Sequence, residues 1–157
     1  MIDIYDEFRQ LIALLDAREI DYAVCGGFAM AIHGRPRATI DIDLLILSES
    51  LEELIFAAKA AGYAIRGKDL SFANGVIEIR RVSKIDPESG DLLSLDFLLV
   101  TPDLLSVWNS RAYAEWEGGK LSVVSREGLI ELKKLRSSGQ DIDDIAELQR
   151  GLTDAKD

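Results

Sequence analysis

The sequence predicts one α+β domain, residues 1–157, in which a mixed β-sheet is flanked by helices. Three patterns predict this class. Apolar residues recur at helical spacing near the amino terminus, strict apolar–polar alternation follows over residues 40–47, and turn signals such as Asn74-Gly75 separate later strand-like runs. We expect the sheet at about residues 20–124 and a closing pair of helices at about residues 125–151.

The composition argues against several classes of protein. Eighteen basic and 28 acidic residues give a net charge of −10, which opposes non-specific capture of nucleic acid. No apolar run approaches the roughly 18 residues of a membrane helix, so no membrane partner is expected. The amino terminus is acidic where a secretory signal would be basic, and the single cysteine, Cys25, cannot form an internal disulfide. We therefore expect a cytoplasmic protein.

The first elements lead to a glycine pair. An amphipathic helix ends near Arg18, because four apolar residues before it recur at helical spacing: Ile4, Phe8, Leu11 and Leu15. A short strand over residues 22–25 then meets Gly26-Gly27, and an apolar helical segment follows to His33. A glycine pair between strand and helix lets the backbone approach a ligand and directs N–H groups at it, which suits phosphate oxygens.

Two carboxylates share one face of the next strand. The alternation over residues 40–47 places Asp41 and Asp43 together, with their Cα atoms roughly 6.6 Å apart at the usual strand rise. Carboxylates at this spacing can reach one pair of metal ions about 3.5–4 Å apart. Without a cation they would repel each other, so the pair predicts bound Mg²⁺ or Mn²⁺. The alternative is that both residues form the solvated face of a strand.

The later elements complete a mixed sheet. Ser50 with Glu53 predicts a capping box for a helix that ends at Gly62. Asn74-Gly75 predicts a hairpin turn before a strand over residues 76–82, and a strand over residues 91–100 is expected to return beside it. A further hairpin turns at residues 117–120, and Ser125 is the predicted cap of the first closing helix.

Asp96 is the third acid of interest, because it lies within the apolar run DLLSLDFLLV. A carboxylate buried among leucines is costly unless it is paired or bound to metal. Two alternatives stay open at this point. Asp96 either joins Asp41 and Asp43 at the metal site, or it pairs with a core arginine such as Arg80 or Arg81.

These motifs resemble the nucleotidyltransferase superfamily with the polymerase-beta-like fold. The resemblance is carried by Gly26-Gly27, His33-Gly34, Arg37, Thr39 and Asp41-Ile42-Asp43-Leu44. Together with Lys133 in an L-K pattern near the end, it looks closest to the abortive-infection toxin-type (AbiEii-like) branch and its uncharacterised relatives. Many members carry Gly-Ser where this chain has Gly26-Gly27, so backbone N–H groups would replace a serine hydroxyl at the triphosphate.

The resemblance implies a Mg²⁺-dependent enzyme that transfers a nucleoside monophosphate from an NTP, such as ATP, to a hydroxyl. It implies catalytic and metal-binding roles for Asp41, Asp43 and Asp96. The nucleotide-binding residues that it implies are Gly26, Gly27, Arg37, Thr39 and Lys133. For Lys133 the alternative is a solvated lysine.

The acceptor stays open between an RNA end, a protein and a small molecule, and the resemblance also implies a toxin–antitoxin role with a partner protein. The negative charge favours a protein or small molecule, while a basic groove for RNA could come from Arg66, Lys68, Arg80, Arg81 and Lys84. Two other functions compete. One is a non-catalytic antitoxin or interaction module on the same fold, and the other is a glycosyltransferase that uses the same D-x-D pair.

Overall fold

The architecture is that of a mixed sheet with helices around it, seen in a computed structural model that describes residues 3–34, 41–136, 145–146 and 148–150. The helices are α1 (Ile4–Ala17), α2 (Gly26–Ile32), α3 (Leu51–Ala60), α4 (Leu105–Asn109) and α5 (Arg126–Arg136). The strands are β1 (Ala23–Cys25), β2 (Asp41–Ile46), β3 (Ile65–Arg66), β4 (Leu70–Phe72), β5 (Ile77–Ile85), β6 (Leu92–Leu99), β7 (Ala112–Trp116) and β8 (Gly119–Val123). The predicted α+β class is confirmed.

The described strands form one sheet in the order β3-β5-β6-β2-β1-β8-β7, and β4 pairs with β5 beside β3. β2 pairs with β6 in parallel, and so does β1 with β8, whereas the other neighbours are antiparallel. The strand after residue 91 lies beside β5, as the sequence predicts, and its other neighbour is β2. This position brings Asp96 beside the two carboxylates of β2.

The core lies against the apolar face of the central strands. Ile42, Leu44 and Ile46 of β2 are fully buried, because they alternate with the carboxylates on the other face. The apolar stripe of α1 packs here, and Phe8 stacks on Phe28 of α2 with ring centroids 4.2 Å apart. Phe8 also meets the edge of Trp116 in β7, so Trp116 has the packing role that the sequence favours.

Local turn chemistry follows the sequence at two points and differs at a third. Asn74 and Gly75 both have positive φ and join β4 to β5, and the Ser125 hydroxyl accepts a hydrogen bond from the N–H of Gly128 at the start of α5. The predicted capping box at Ser50 is wrong. A 3₁₀ turn over Ser48–Ser50 runs directly into α3, so Ser50 has a helical backbone and makes no side-chain cap.

The second closing helix falls largely outside the described residues. Within the described part, Leu148 is buried in the core. None of the described helices is long and apolar enough to cross a membrane.

Candidate active site

Two rows of polar side chains cross three neighbouring strands. In the first row Asp41 of β2 lies in register with Ser94 of β6, which pairs with Ser83 of β5. In the second row Asp43 of β2 lies in register with Asp96 of β6, which pairs with Arg81 of β5. Residues in register share a face of the sheet, so the three acids lie together as the sequence predicts. Asp41 and Asp43 are partly exposed, so a ligand can reach them.

Asp96 is held by Arg81 in the described structure. The guanidinium Nε donates to one carboxylate oxygen at 2.6 Å, and a terminal nitrogen donates to the other at 2.8 Å. This two-point geometry is the strongest form of arginine–carboxylate pairing. Of the partners that the sequence left open, Arg81 makes this contact, whereas Arg80 on the other face pairs with Glu78.

The charge of Arg81 is stabilised by the whole acidic cluster. Its hydrogen bond with Asp96 raises the pKa of Arg81, and the negative charges of Asp96, Asp41 and Asp43 act in the same direction. The guanidinium therefore stays protonated throughout the pH range in which proteins are handled. The sequence predicts positive charge beside the acids, and in the described structure the guanidinium of Arg81 supplies it.

The carboxylates suit a divalent cation by their chemistry, since Mg²⁺ and Mn²⁺ prefer hard oxygen ligands. Among the residues that the structure describes, no three His, Cys, Asp or Glu side chains form a complete metal-holding group. Both oxygens of Asp96 face Arg81 in this arrangement. The oxygen chemistry of the three acids suits a cation, although their described arrangement does not form a complete metal-holding group. The metal-binding roles of Asp41, Asp43 and Asp96 stay predictions.

Position 26 requires a glycine, because the backbone there lies too close to Asp43 for any side chain. The φ of Gly26 is +65°, in the left-handed region that favours glycine, and a Cβ built there would lie 1.9 Å from Oδ2 of Asp43. β1 ends and α2 begins at this point, in register with the middle of the acidic strand. The sequence predicts a ligand-binding role for Gly26, and the structure shows that its missing side chain makes room for the carboxylate of Asp43.

Replacing Gly26 by Ala should therefore destabilise the fold by about 3 kcal/mol, because left-handed strain adds to the overlap with Asp43. Gly90→Ala is the matched control, since Gly90 also has positive φ but nothing lies within 4 Å of its added Cβ. The control should lose only about 1–2 kcal/mol. Urea unfolding of both variants measures the difference. Equal losses in the free energy of unfolding would show that the Asp43 side chain moves aside without destabilising the fold.

The other predicted nucleotide-binding residues divide into two groups. Gly27 is buried in the first turn of α2, and Lys133 lies on α5 with only 3% of its surface exposed. The alternative of a solvated Lys133 is therefore wrong, while its contact with phosphate stays a prediction. Arg37 and Thr39 lie outside the described residues. Cys25 is 1% exposed and packs as a small buried side chain.

His33 has a structural position at the end of α2. Its Nε2 donates a hydrogen bond to the carbonyl oxygen of Val124 at 2.9 Å, with the tautomer inferred from that acceptor, and Arg126 donates to the carbonyl of His33. Burial lowers the pKa of His33, because the imidazolium loses hydration. His33 thus packs and caps, as the sequence favours.

The lowered pKa of His33 predicts a loss of stability in acid. The unfolded chain binds the imidazole proton more readily than the folded chain, so the free energy of unfolding should fall as the pH drops below about 6.5. His33→Gln can donate to Val124 but cannot titrate, so it should lose less stability between pH 7.5 and pH 5.5. Urea unfolding at both pH values checks this, and equal losses would contradict it.

The basic groove proposed from the sequence does not form. Four of its five cations pair with acids. The pairs are Arg66 with Asp69, Arg80 with Glu78, Arg81 with Asp96 and Lys84 with Glu7. Arg80 and Arg81 point to opposite faces of β5, so they cannot line one groove. These contacts leave little positive potential for an RNA backbone on this part of the described surface.

Comparison with known proteins identifies the fold. No protein-family model and no curated protein matches the sequence. Among solved structures, ANT(2″)-Ia in complex with adenylyl-2″-tobramycin is 17% identical, with a TM-score of 0.63 over 96% of this chain and 90% of that one. The lincosamide antibiotic adenylyltransferase LnuA, bound to lincomycin, is 14% identical, with a TM-score of 0.59 over 92% and 95%.

A third similar structure is an inferred nucleotidyltransferase from Thermotoga maritima, which is 19% identical, with a TM-score of 0.59 over 98% of this chain and 96% of that one. At these identities the likeness concerns the fold. Each of the three alignments spans at least 92% of this chain. The chain has the nucleotidyltransferase fold.

Proposed function

We propose that this chain is a metal-dependent nucleotidyltransferase that transfers a nucleoside monophosphate from an NTP to a hydroxyl group. One observation carries the proposal. Asp41, Asp43 and Asp96 lie on one face of two parallel strands, beside the glycine turn that begins α2. Close carboxylates can hold metal ions, and the positive charge of such ions stabilises the phosphates during nucleotidyl transfer.

The reaction breaks the bond between the α-phosphorus and pyrophosphate and forms a bond from that phosphorus to the acceptor oxygen. Asp41 and Asp43, with Asp96, would hold Mg²⁺ or Mn²⁺, which when bound neutralises charge on the phosphates. Asp96 accepts the proton of the attacking hydroxyl, since a base must lie within hydrogen-bond reach of it. The N–H groups at Gly26 and Gly27 and the ammonium of Lys133 bind phosphate oxygens. Arg37 and Thr39 are proposed to do the same.

A small-molecule hydroxyl is the acceptor that we favour. The net charge of −10 and the neutralised cations of β3 and β5 disfavour RNA. LnuA is an antibiotic adenylyltransferase, and ANT(2″)-Ia was seen with adenylyl-2″-tobramycin, so small acceptors occur on this fold. Membership of the AbiEii-like toxin branch, and with it a toxin–antitoxin partner, stays a prediction. LnuA and ANT(2″)-Ia do not add support for it.

The test is incubation of the purified chain with cell extract, Mg²⁺ and each NTP labelled at the α-phosphate. We expect label in the small-molecule fraction, with release of pyrophosphate, and no transfer once EDTA is added. Label in RNA or protein would show that RNA or protein, and not a small molecule, is the acceptor. No transfer from any NTP would contradict the enzyme and favour the interaction module, and protection by UDP-sugars over NTPs would favour a glycosyltransferase.

A further inference from the structure

The guanidinium of Arg81 occupies the place beside Asp96 that a metal ion would need. It takes both carboxylate oxygens of Asp96, at 2.6 and 2.8 Å. A dication bound to Asp96 would therefore come within a few ångströms of a fixed positive charge, and such like charges repel strongly in a partly buried site. The pairing shown and metal binding by Asp96 are competing arrangements.

Arg81 is the partner that can move. The Asp96 side chain is 7% exposed and is held within the sheet between β2 and β5, whereas the Arg81 side chain is 37% exposed. The stem of Arg81 lies against Gly67, where a Cβ would approach within 3.1 Å of it, so no side chain there covers the arginine. The guanidinium can thus reach water by turning its long side chain, while the short carboxylate stays in place.

We propose that Arg81 is a positioning residue that competes with a divalent cation for Asp96. In the arrangement shown, Arg81 holds the carboxylate of Asp96 toward β5 and lowers the affinity of the cluster for metal. When a cation binds to Asp41 and Asp43, Asp96 exchanges Arg81 for that cation. The inference rests on the metal site of the proposed function and adds a residue that regulates its assembly.

The test measures Mn²⁺ binding without any nucleotide, by electron paramagnetic resonance titration of the free ion at low ionic strength. Arg81→Gln removes the charge and should bind Mn²⁺ at least about tenfold more tightly than the unchanged protein. Arg80→Gln is the matched control, because Arg80 is the adjacent arginine on the opposite face and pairs with Glu78. The Mn²⁺ affinity of the control should stay within about twofold, since Arg80 lies on the opposite face of β5 from the face that carries Asp96.

Two further variants keep the test decisive. Adding Asp96→Asn to Arg81→Gln should abolish the gain, because the released carboxylate is then missing. Arg81→Lys keeps the charge but loses the two-point fork, so it should show a smaller gain than Arg81→Gln. It also serves as the test variant if circular dichroism shows that Arg81→Gln is unfolded.

The outcomes separate this inference from the proposed function. Equal Mn²⁺ affinity in the unchanged protein and in both Arg81 variants would overturn the competition even if nucleotidyl transfer is observed. Tighter binding by Arg81→Gln in a protein that transfers no nucleotide would support the competition and contradict the enzyme. Absence of Mn²⁺ binding in every variant would overturn both.

Discussion

Asp43→Asn is expected to lower nucleotidyl transfer by about 10³-fold while the protein stays folded. Asn has nearly the same size as Asp but loses the charge and one oxygen ligand. Asp43 lies in register with both Cys25 and Asp96, so it stands beside the glycine turn and beside the third acid.

The measurement is the rate of label transfer per folded molecule, together with Mn²⁺ affinity, which should weaken in parallel. Asp103→Asn is a suitable control, because Asp103 is an exposed acid in the 3₁₀ turn before α4, away from the acidic strands. The control should transfer at the normal rate. A normal rate in Asp43→Asn would remove the acidic cluster from the mechanism.

Asp96→Asn is expected to lower transfer by about 10²-fold or more, since it removes the proposed proton acceptor. NTP binding should weaken less, because Asp41 and Asp43 can still hold the cation that bridges the phosphates. The pair with Arg81 adds a small effect on stability. The Arg81 side chain is 37% exposed and can turn to water, so we expect a loss of roughly 1 kcal/mol.

Ser83→Ala is the control for that stability effect. Ser83 shares a buried hydrogen bond of 2.8 Å with Ser94 on the same face, so its loss destabilises the same strands without altering an acid. If Asp96 is only an ion-pair partner, Asp96→Asn will resemble Ser83→Ala, with a lower melting temperature and near-normal turnover per folded molecule. Melting temperature and turnover measured on one preparation distinguish the two roles.

Much of the fold could be predicted because local patterns determine local structure. Alternation over β2 separates Asp41 and Asp43 from the buried Ile42 and Leu44 whatever the strand pairs with. Asn74-Gly75 favours positive φ at both positions and so predicts the β4–β5 connection. At Ser50 the same kind of reasoning was wrong, because a preceding 3₁₀ turn had already placed the residue in a helical conformation.

The sequence by itself determined that Asp41 and Asp43 share one face of a strand and that a glycine pair lies between the preceding strand and helix, because both follow from residue type and alternation along the chain. Only the tertiary structure decided which partners they have. The register between β5 and β6 puts Arg81, and not Arg80, opposite Asp96. The antiparallel pairing of β1 with β2 brings Asp43 against the backbone of Gly26. Registers depend on the packing of whole strands, and a shift of one residue would reverse every face.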